Sequence, residues 1–248
     1  LAHGTVVHVP TYAEQDFEVQ PAEIAARITP RSRMIVLVSP SNPTGEIIAR
    51  DQLAALHAAT REHGGALVVD EIYHGLIYDE SETSILEFTD EAFVVNSFSK
   101  YFGMTGWRLG WMVLPEAAIE PINVMAQNFY ISPPSIAQYA ALAAFQPAVI
   151  DELEARRNEF RRRRDFLVPA LRELGFDIPF APAGAFYIYA GIARLADDCE
   201  AFCWDMLERA GVAFTPGTDF GSHLARQRVR FSYTEPLERL ELAVSRLR

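Results

Sequence analysis

A lysine lies among hydroxyl side chains in Ser97-Phe98-Ser99-Lys100-Tyr101-Phe102-Gly103, and an arginine stands close behind it in Gly106-Trp107-Arg108-Leu109-Gly110. An amine, hydroxyls and a guanidinium beside glycines suit an anion site, although a surface turn uses the same residue types. Three more clusters place polar groups at or near the ends of apolar runs. Ser41-Asn42-Pro43-Thr44-Gly45 has the proline and glycine of a tight turn. Asp70-Glu71-Ile72-Tyr73 puts a carboxylate at the end of a strand-like segment, where an aspartate also serves as a helix cap. Arg230 stands in Val229-Arg230-Phe231-Ser232, whose alternation equally suits an arginine turned to solvent.

The segments that must position these groups are short apolar runs rich in valine and leucine: Met34 to Ser39, Ala66 to Asp70, Phe93 to Asn96 and Leu109 to Leu114. Bounded by turn residues and separated by helical patterns, they predict buried, largely parallel strands. Leu53, Leu56, Ala59 and Thr60 recur at helical spacing before Gly64-Gly65, which predicts a right-handed strand-helix-strand crossover. Ligands of open α/β sheets bind outside the carboxyl ends of the strands, where these clusters fall. Thr5 to Val9 reads as a further strand. A helix from Pro133 to Phe145 and a long one from Val149 to Leu174 lead to a second texture, with strands at Ala185 to Tyr189 and Val229 to Tyr233. Helices are expected there near Asp198 to Ala210 and from Pro236 to Leu247. The expected organisation is residues 1–147 as part of a large domain, 148–175 as a connecting helix and 176–248 as a small α+β domain.

Composition narrows the function classes. Of 248 residues, 50% are apolar and 22% charged, enough for a sizeable core. The formal net charge of −11 gives no broad attraction to nucleic acid or to an anionic membrane. Arg156, Arg157 and Arg161 to Arg164 alternate with Glu152, Glu154, Glu159 and Asp165, the pattern of a solvated, salt-bridged helix face. Cys199 and Cys203 suit neither a disulfide framework nor a zinc cluster, and the histidines show no ligand spacing, so reduced thiols and no metal are expected. Neither a membrane-spanning run nor a secretory leader is legible, which makes a cytoplasmic location the expectation.

Taken together and in this order, SNPTG, DEIY, SFSK and GWRLGW resemble the class I and II aminotransferases of fold type I, enzymes that use pyridoxal 5'-phosphate. Pro182-Ala183-Gly184-Ala185-Phe186-Tyr187, Pro216-Gly217, Phe220-Gly221 and the Arg230 strand extend the resemblance along the whole chain. It implies an aspartate-aminotransferase-like α/β fold, with a mostly parallel sheet flanked by helices. Lys100 would carry the cofactor as a Schiff base and then move a proton at the substrate carbon. Asp70 would keep the pyridine nitrogen protonated, and Asn42 and Tyr73 would donate to the ring oxygen. Arg108, Ser97 and Ser99 would hold the phosphate. Arg230 would anchor the substrate carboxylate, with Arg228 as the runner-up on the same strand face, and Gly184 would let backbone approach the substrate. Tyr130, Phe129 and Phe186 are candidate lining residues. The implied reaction moves an amino group between an L-amino acid and a 2-oxo acid, in a homodimer.

Members of the family carry a further N-terminal region that supplies a phosphate loop, an aromatic stacked on the cofactor ring and residues reaching the partner subunit. None of these is assignable here, so this 248-residue chain alone is expected to be weakly active or inactive. Two other readings share the same lysine, aspartate and arginine. One is a carbon-sulfur β-lyase, which would release pyruvate and ammonia without an acceptor acid. The other is an aminotransferase-like sensor domain of a transcription regulator.

Overall fold

The structure, a computed structural model, describes residues 3–79 and 81–248. By internal packing the chain divides into two units. The first comprises Leu1–Ser39, Ile47–Ile72 and Ser81–Phe145; the second comprises Pro40–Glu46, Tyr73–Glu80 and Gln146–Arg248.

In the first unit the valine-rich runs form β1 (Met34–Val38), β2 (Ala66–Asp70) and β3 (Phe93–Ser97), all parallel, and β4 (Gly110–Val113) lies antiparallel beside β3. The crossover from β1 to β2 is α2 (Arg50–Glu62), which follows the short α1 (Pro21–Ala25) in the chain. Leu53 and Leu56 of α2 are buried against Leu37, Leu67, Val69 and Val94 of the sheet. Burying a leucine as fully as Leu56 contributes roughly 1.5–3 kcal/mol. Gly64, at φ +67°, ends the helical segment in a left-handed conformation that a side chain disfavours. The register sets Val38 beside Asp70 and Asp70 beside Val95, so three carboxyl ends share one edge. Pairing of Ser97 with Gly110 brings the start of β4 to the same edge, and a Cβ at Gly110 would stand 2.7 Å from the Asn96 carbonyl oxygen.

Two expectations fail in this unit. Thr5 to Val9 joins no sheet; Val6 and Val7 are 73% and 65% exposed, because a strand needs a paired neighbour and this segment has none among the described residues. The sheet is also not buried on both faces: Met34 and Val36 of β1 and Trp111, Met112 and Val113 of β4 are exposed. Two helices complete the unit, α3 (Glu116–Tyr130), which the sequence did not disclose, and α4 (Ser135–Ala144). Phe129 and Tyr130, at the end of α3, are exposed.

The second unit packs α5 (Pro147–Glu173), α6 (Cys199–Ala210) and α7 (Leu237–Leu247) with an antiparallel sheet of order β5-β7-β6. Its strands are β5 (Tyr187–Gly191), β6 (Thr215–Pro216) and β7 (Arg228–Ser232). Leu167 and Leu171 of α5, Ile188, Val229, and Leu240 and Val244 of α7 form the core. Asp198 caps α6 by accepting from the Glu200 and Ala201 amides, and Gly211 ends it at φ +63°. β5 starts two residues later than the sequence suggested, because Ala185 adopts φ +57° and turns the chain out of strand geometry.

Sequence limits at 147 and 175 follow texture along the chain, whereas packing adds the loops 40–46 and 73–80 to the C-terminal unit. Backbone bonds explain the grouping: Gly184 N–H donates to the Gly45 carbonyl, and Ala185 N–H to that of Leu76. The basic run on α5 is salt-bridged at the surface through Arg157, Arg162 and Arg163, but Arg164 departs from that reading and is only 4% exposed. Cys199 is buried and Cys203 half-buried, both as free thiols, and burial pushes the Cys203 thiol up to about 12. Among the described residues no helix is long and apolar enough to cross a membrane, and no His/Cys/Asp/Glu group is placed to hold a metal.

Candidate active site

Asp70 ends β2, and its carboxylate accepts from the Ile72 amide at 3.0 Å. No helix follows, so the helix-cap role that an aspartate here suggests is not used. Burial raises the Asp70 carboxyl above its ordinary range, while the Ile72 amide and the charge of Lys100 act against that rise. Lys100 is thus close enough to be felt by the carboxylate. The adjacent Glu71 serves the fold instead, since its buried carboxylate accepts from the Ser84 hydroxyl and the Ile85 amide.

The loop after β3 carries Lys100 and is anchored from both sides. Phe98 is buried and packs in ring contact with Phe102, Trp111 and Phe145. Met104 N–H donates to the Phe98 carbonyl, and the Thr105 hydroxyl to that of Ser99. Ser97 and Ser99 hydroxyls lie 2.9 Å apart, and Ser97 also reaches the Leu109 carbonyl. Arg108 adopts φ +54° and donates to the Thr105 carbonyl, with its guanidinium exposed. Lysine, aspartate, hydroxyls and guanidinium thus stand on one edge of the first unit.

In the second unit, Arg230 lies between two rings, 4.3 Å from the centroid of Tyr187 and 4.5 Å from that of Phe220. One terminal nitrogen donates to Asn42 Oδ1 at 2.9 Å and the other to Thr215 Oγ1 at 3.3 Å. Its Nε is buried with no acceptor among the described residues. Each terminal nitrogen carries a second N–H, and the two ring faces beside the guanidinium confine it, as bidentate binding of a carboxylate requires. Because arginine only donates, the bond also fixes the amide of Asn42, leaving its Nδ2 as a donor. The Tyr73 hydroxyl is 3.1 Å from that of Tyr187, and its ring meets Phe186 edge-on. Arg228 is buried instead, 5.7 Å from the Tyr189 ring centroid. At Gly184 the space of a Cβ is taken by Pro40, whose Cγ would stand 2.6 Å away.

The family described as aminotransferase class I and II matches residues 1–247. This chain belongs to it. Over 244 residues the chain is 38% identical to the valine–pyruvate aminotransferase of Mycobacterium tuberculosis, covering 98% of the chain and 63% of that protein. It is likewise 38% identical to the aspartate/prephenate aminotransferase of Thermus thermophilus, over 99% of the chain and 63% of the relative. The solved Thermus thermophilus aspartate aminotransferase with maleate superposes with a TM-score of 0.93 at 38% identity, over 98% of this chain and 63% of that one. The chain thus spans a little under two thirds of the length of these relatives. Class I and II aminotransferases depend on pyridoxal phosphate, and the amine, carboxylate, hydroxyls and guanidinium of the first unit fit the aldehyde, ring nitrogen and phosphate of that group.

Thr215 and Phe220 gave no sign of a role beside Arg230 when read along the chain. The motif Pro216-Gly217 with Phe220-Gly221 marked the neighbourhood but not the contacts.

Proposed function

We propose that the protein is a pyridoxal-phosphate-dependent aminotransferase that moves an amino group between an L-amino acid and a 2-oxo acid. The observation that carries this reading is the pair of Lys100 and Asp70 on one sheet edge, with the amine's charge felt at the half-buried carboxylate. When bound, the cofactor supplies an aldehyde that condenses with amines and a ring that accepts an electron pair. Lys100 Nζ would take and return the proton at the substrate's α-carbon. Asp70 would hold the proton of the ring nitrogen, which gives its buried charge a cationic partner. Arg108, Ser97 and Ser99 would bind the phosphate, Arg108 through its exposed fork. Asn42 Nδ2 and the Tyr73 hydroxyl would donate to the ring oxygen, and Arg230 would bind the substrate carboxylate at both oxygens. A role for Gly184 beside the substrate belongs to the same reading, as do a homodimer and a cytoplasmic location. The β-lyase and sensor readings use the same residues, and nothing in the site favours them.

Lys100 is the only lysine in the sequence, which makes the test direct. Pyridoxal phosphate and borohydride should fix one label on the protein at Lys100 and none on the interior of Lys100→Ala, and whatever amino transfer the wild type shows should be lost in the variant. No label on Lys100 in the wild type, or transfer that survives in Lys100→Ala, would sink the assignment.

A further inference from the structure

The turn that leads into β5 is held from outside by side chains distant in sequence. Arg164 of α5, buried, donates to the Pro182 carbonyl at 2.9 Å and is itself held by Asp79 at 2.6 Å and by Asp165. Arg161 binds the other oxygen of Asp79 at 2.7 Å. The Arg164 guanidinium lies 5.1 Å from the centroid of Tyr78. Two phenols then converge on one atom: the hydroxyls of Tyr78 and Tyr233 both donate to the Ala185 carbonyl, that of Tyr233 at 3.3 Å. Tyr233 N–H donates to the Phe186 carbonyl, and Tyr78 N–H to that of Ala183.

At the centre of these bonds Ala185 is fully buried at φ +57°, a conformation that a Cβ disfavours and that glycine would adopt without strain. A disfavoured backbone geometry persists only where its surroundings over-determine it. Two residues further on stands Tyr187, whose ring centroid lies 4.3 Å from the Arg230 guanidinium carbon and whose hydroxyl meets that of Tyr73. We propose that Tyr78, Tyr233 and Arg164 are positioning residues for Arg230, acting through the Pro182–Ala185 turn to set the Tyr187 ring on which the carboxylate anchor lies. The proposal rests on Arg230 binding the substrate carboxylate.

The network predicts a separation between binding and turnover. An interaction that holds the carboxylate equally in ground and transition states changes KM and leaves kcat alone. In the protein with pyridoxal phosphate, Tyr78→Phe/Tyr233→Phe removes two oxygen atoms and little volume. It should raise the KM for 2-oxoglutarate, and its dissociation constant by calorimetry, about fivefold to tenfold with kcat within about twofold. Arg164→Lys, which keeps the charge beside Asp79 but not the fork, should do the same. Adding Ala185→Gly to the double variant should recover most of the affinity, because glycine holds the turn without the phenols. A double variant that melts earlier yet binds like wild type would show a structural clamp only and overturn the proposal. Should Arg230→Gln bind 2-oxoglutarate as tightly as wild type, the carboxylate reading itself falls, and the positioning claim with it.

Discussion

The two units treat their key arginines in opposite ways. Arg108 is exposed on a loop in a left-handed conformation, donating to a carbonyl three residues away. Arg230 lies against two rings, with one terminal nitrogen bound to Asn42, far away in the chain, and the other to Thr215 of the adjoining strand. The rest of each unit follows suit. Asp70 and the Ser97–Ser99 pair are held by groups within about a dozen residues in sequence, whereas Tyr73, Tyr187 and Gly184 are interlocked across loops more than a hundred residues apart. An open guanidinium can close on an incoming anion, while a stacked one offers a fixed plane. In the proposed function the first would suit retention of a cofactor, and the second would select a carboxylate by geometry.

The largest effect that sharpens this contrast is expected at Asp70. Asp70→Asn should lower amino transfer about 10³-fold, since a neutral amide cannot hold the ring nitrogen's proton. It should also raise the melting temperature of the cofactor-free protein at pH 7. The sign follows from burial: a carboxyl whose folded pKa is raised penalises the folded state above that pKa. The penalty is relieved as pH falls through the raised folded value, and is gone below the ordinary value of 3.8. Melting curves of the two proteins should therefore converge at low pH; a gap that widens there would contradict the assigned cause.

Arg230 comes next. If the proposed amino transfer holds, Arg230→Gln should reduce kcat/KM about 10²-fold, mostly through KM, for every amino acid tested. Arg228→Gln should chiefly lower stability, because Arg228 is buried. Steady-state kinetics beside thermal melts separate the two, and the reverse pattern would make Arg228 the anchor.

The smallest effects test packing. Gly184→Ala should destabilise the protein by about 1–3 kcal/mol by driving a Cβ into Pro40. Gly106→Ala, in the first unit, should stay within about 0.5 kcal/mol, because a Cβ there meets nothing within 4 Å. Urea unfolding reads both; equal losses would remove the contrast between an interlocked and an open loop.

Legibility in the sequence follows the same divide. Strand ends, the crossover helix α2 and the positions of Lys100 and Asp70 at or just after strand ends were readable because apolar periodicity and turn residues are local signals. The exposed faces of β1 and β4 were not, since a run of valines does not say how many faces are covered. Arg164 read as one more charge on a solvated helix and proved buried, because burial depends on what packs against α5.

By itself the sequence determined which chemical groups stand at or beside the strands: an amine, a carboxylate and two candidate anion-binding arginines. Only the tertiary structure decided that Arg230 rather than Arg228 lies between Tyr187 and Phe220, that Asn42 turns its oxygen to Arg230, and that Pro40 occupies the space beside Gly184. The reason is physical. Hydrogen-bond partners and ring stacks are made between segments that only the packed fold brings together, and no local pattern encodes the partner at the other end.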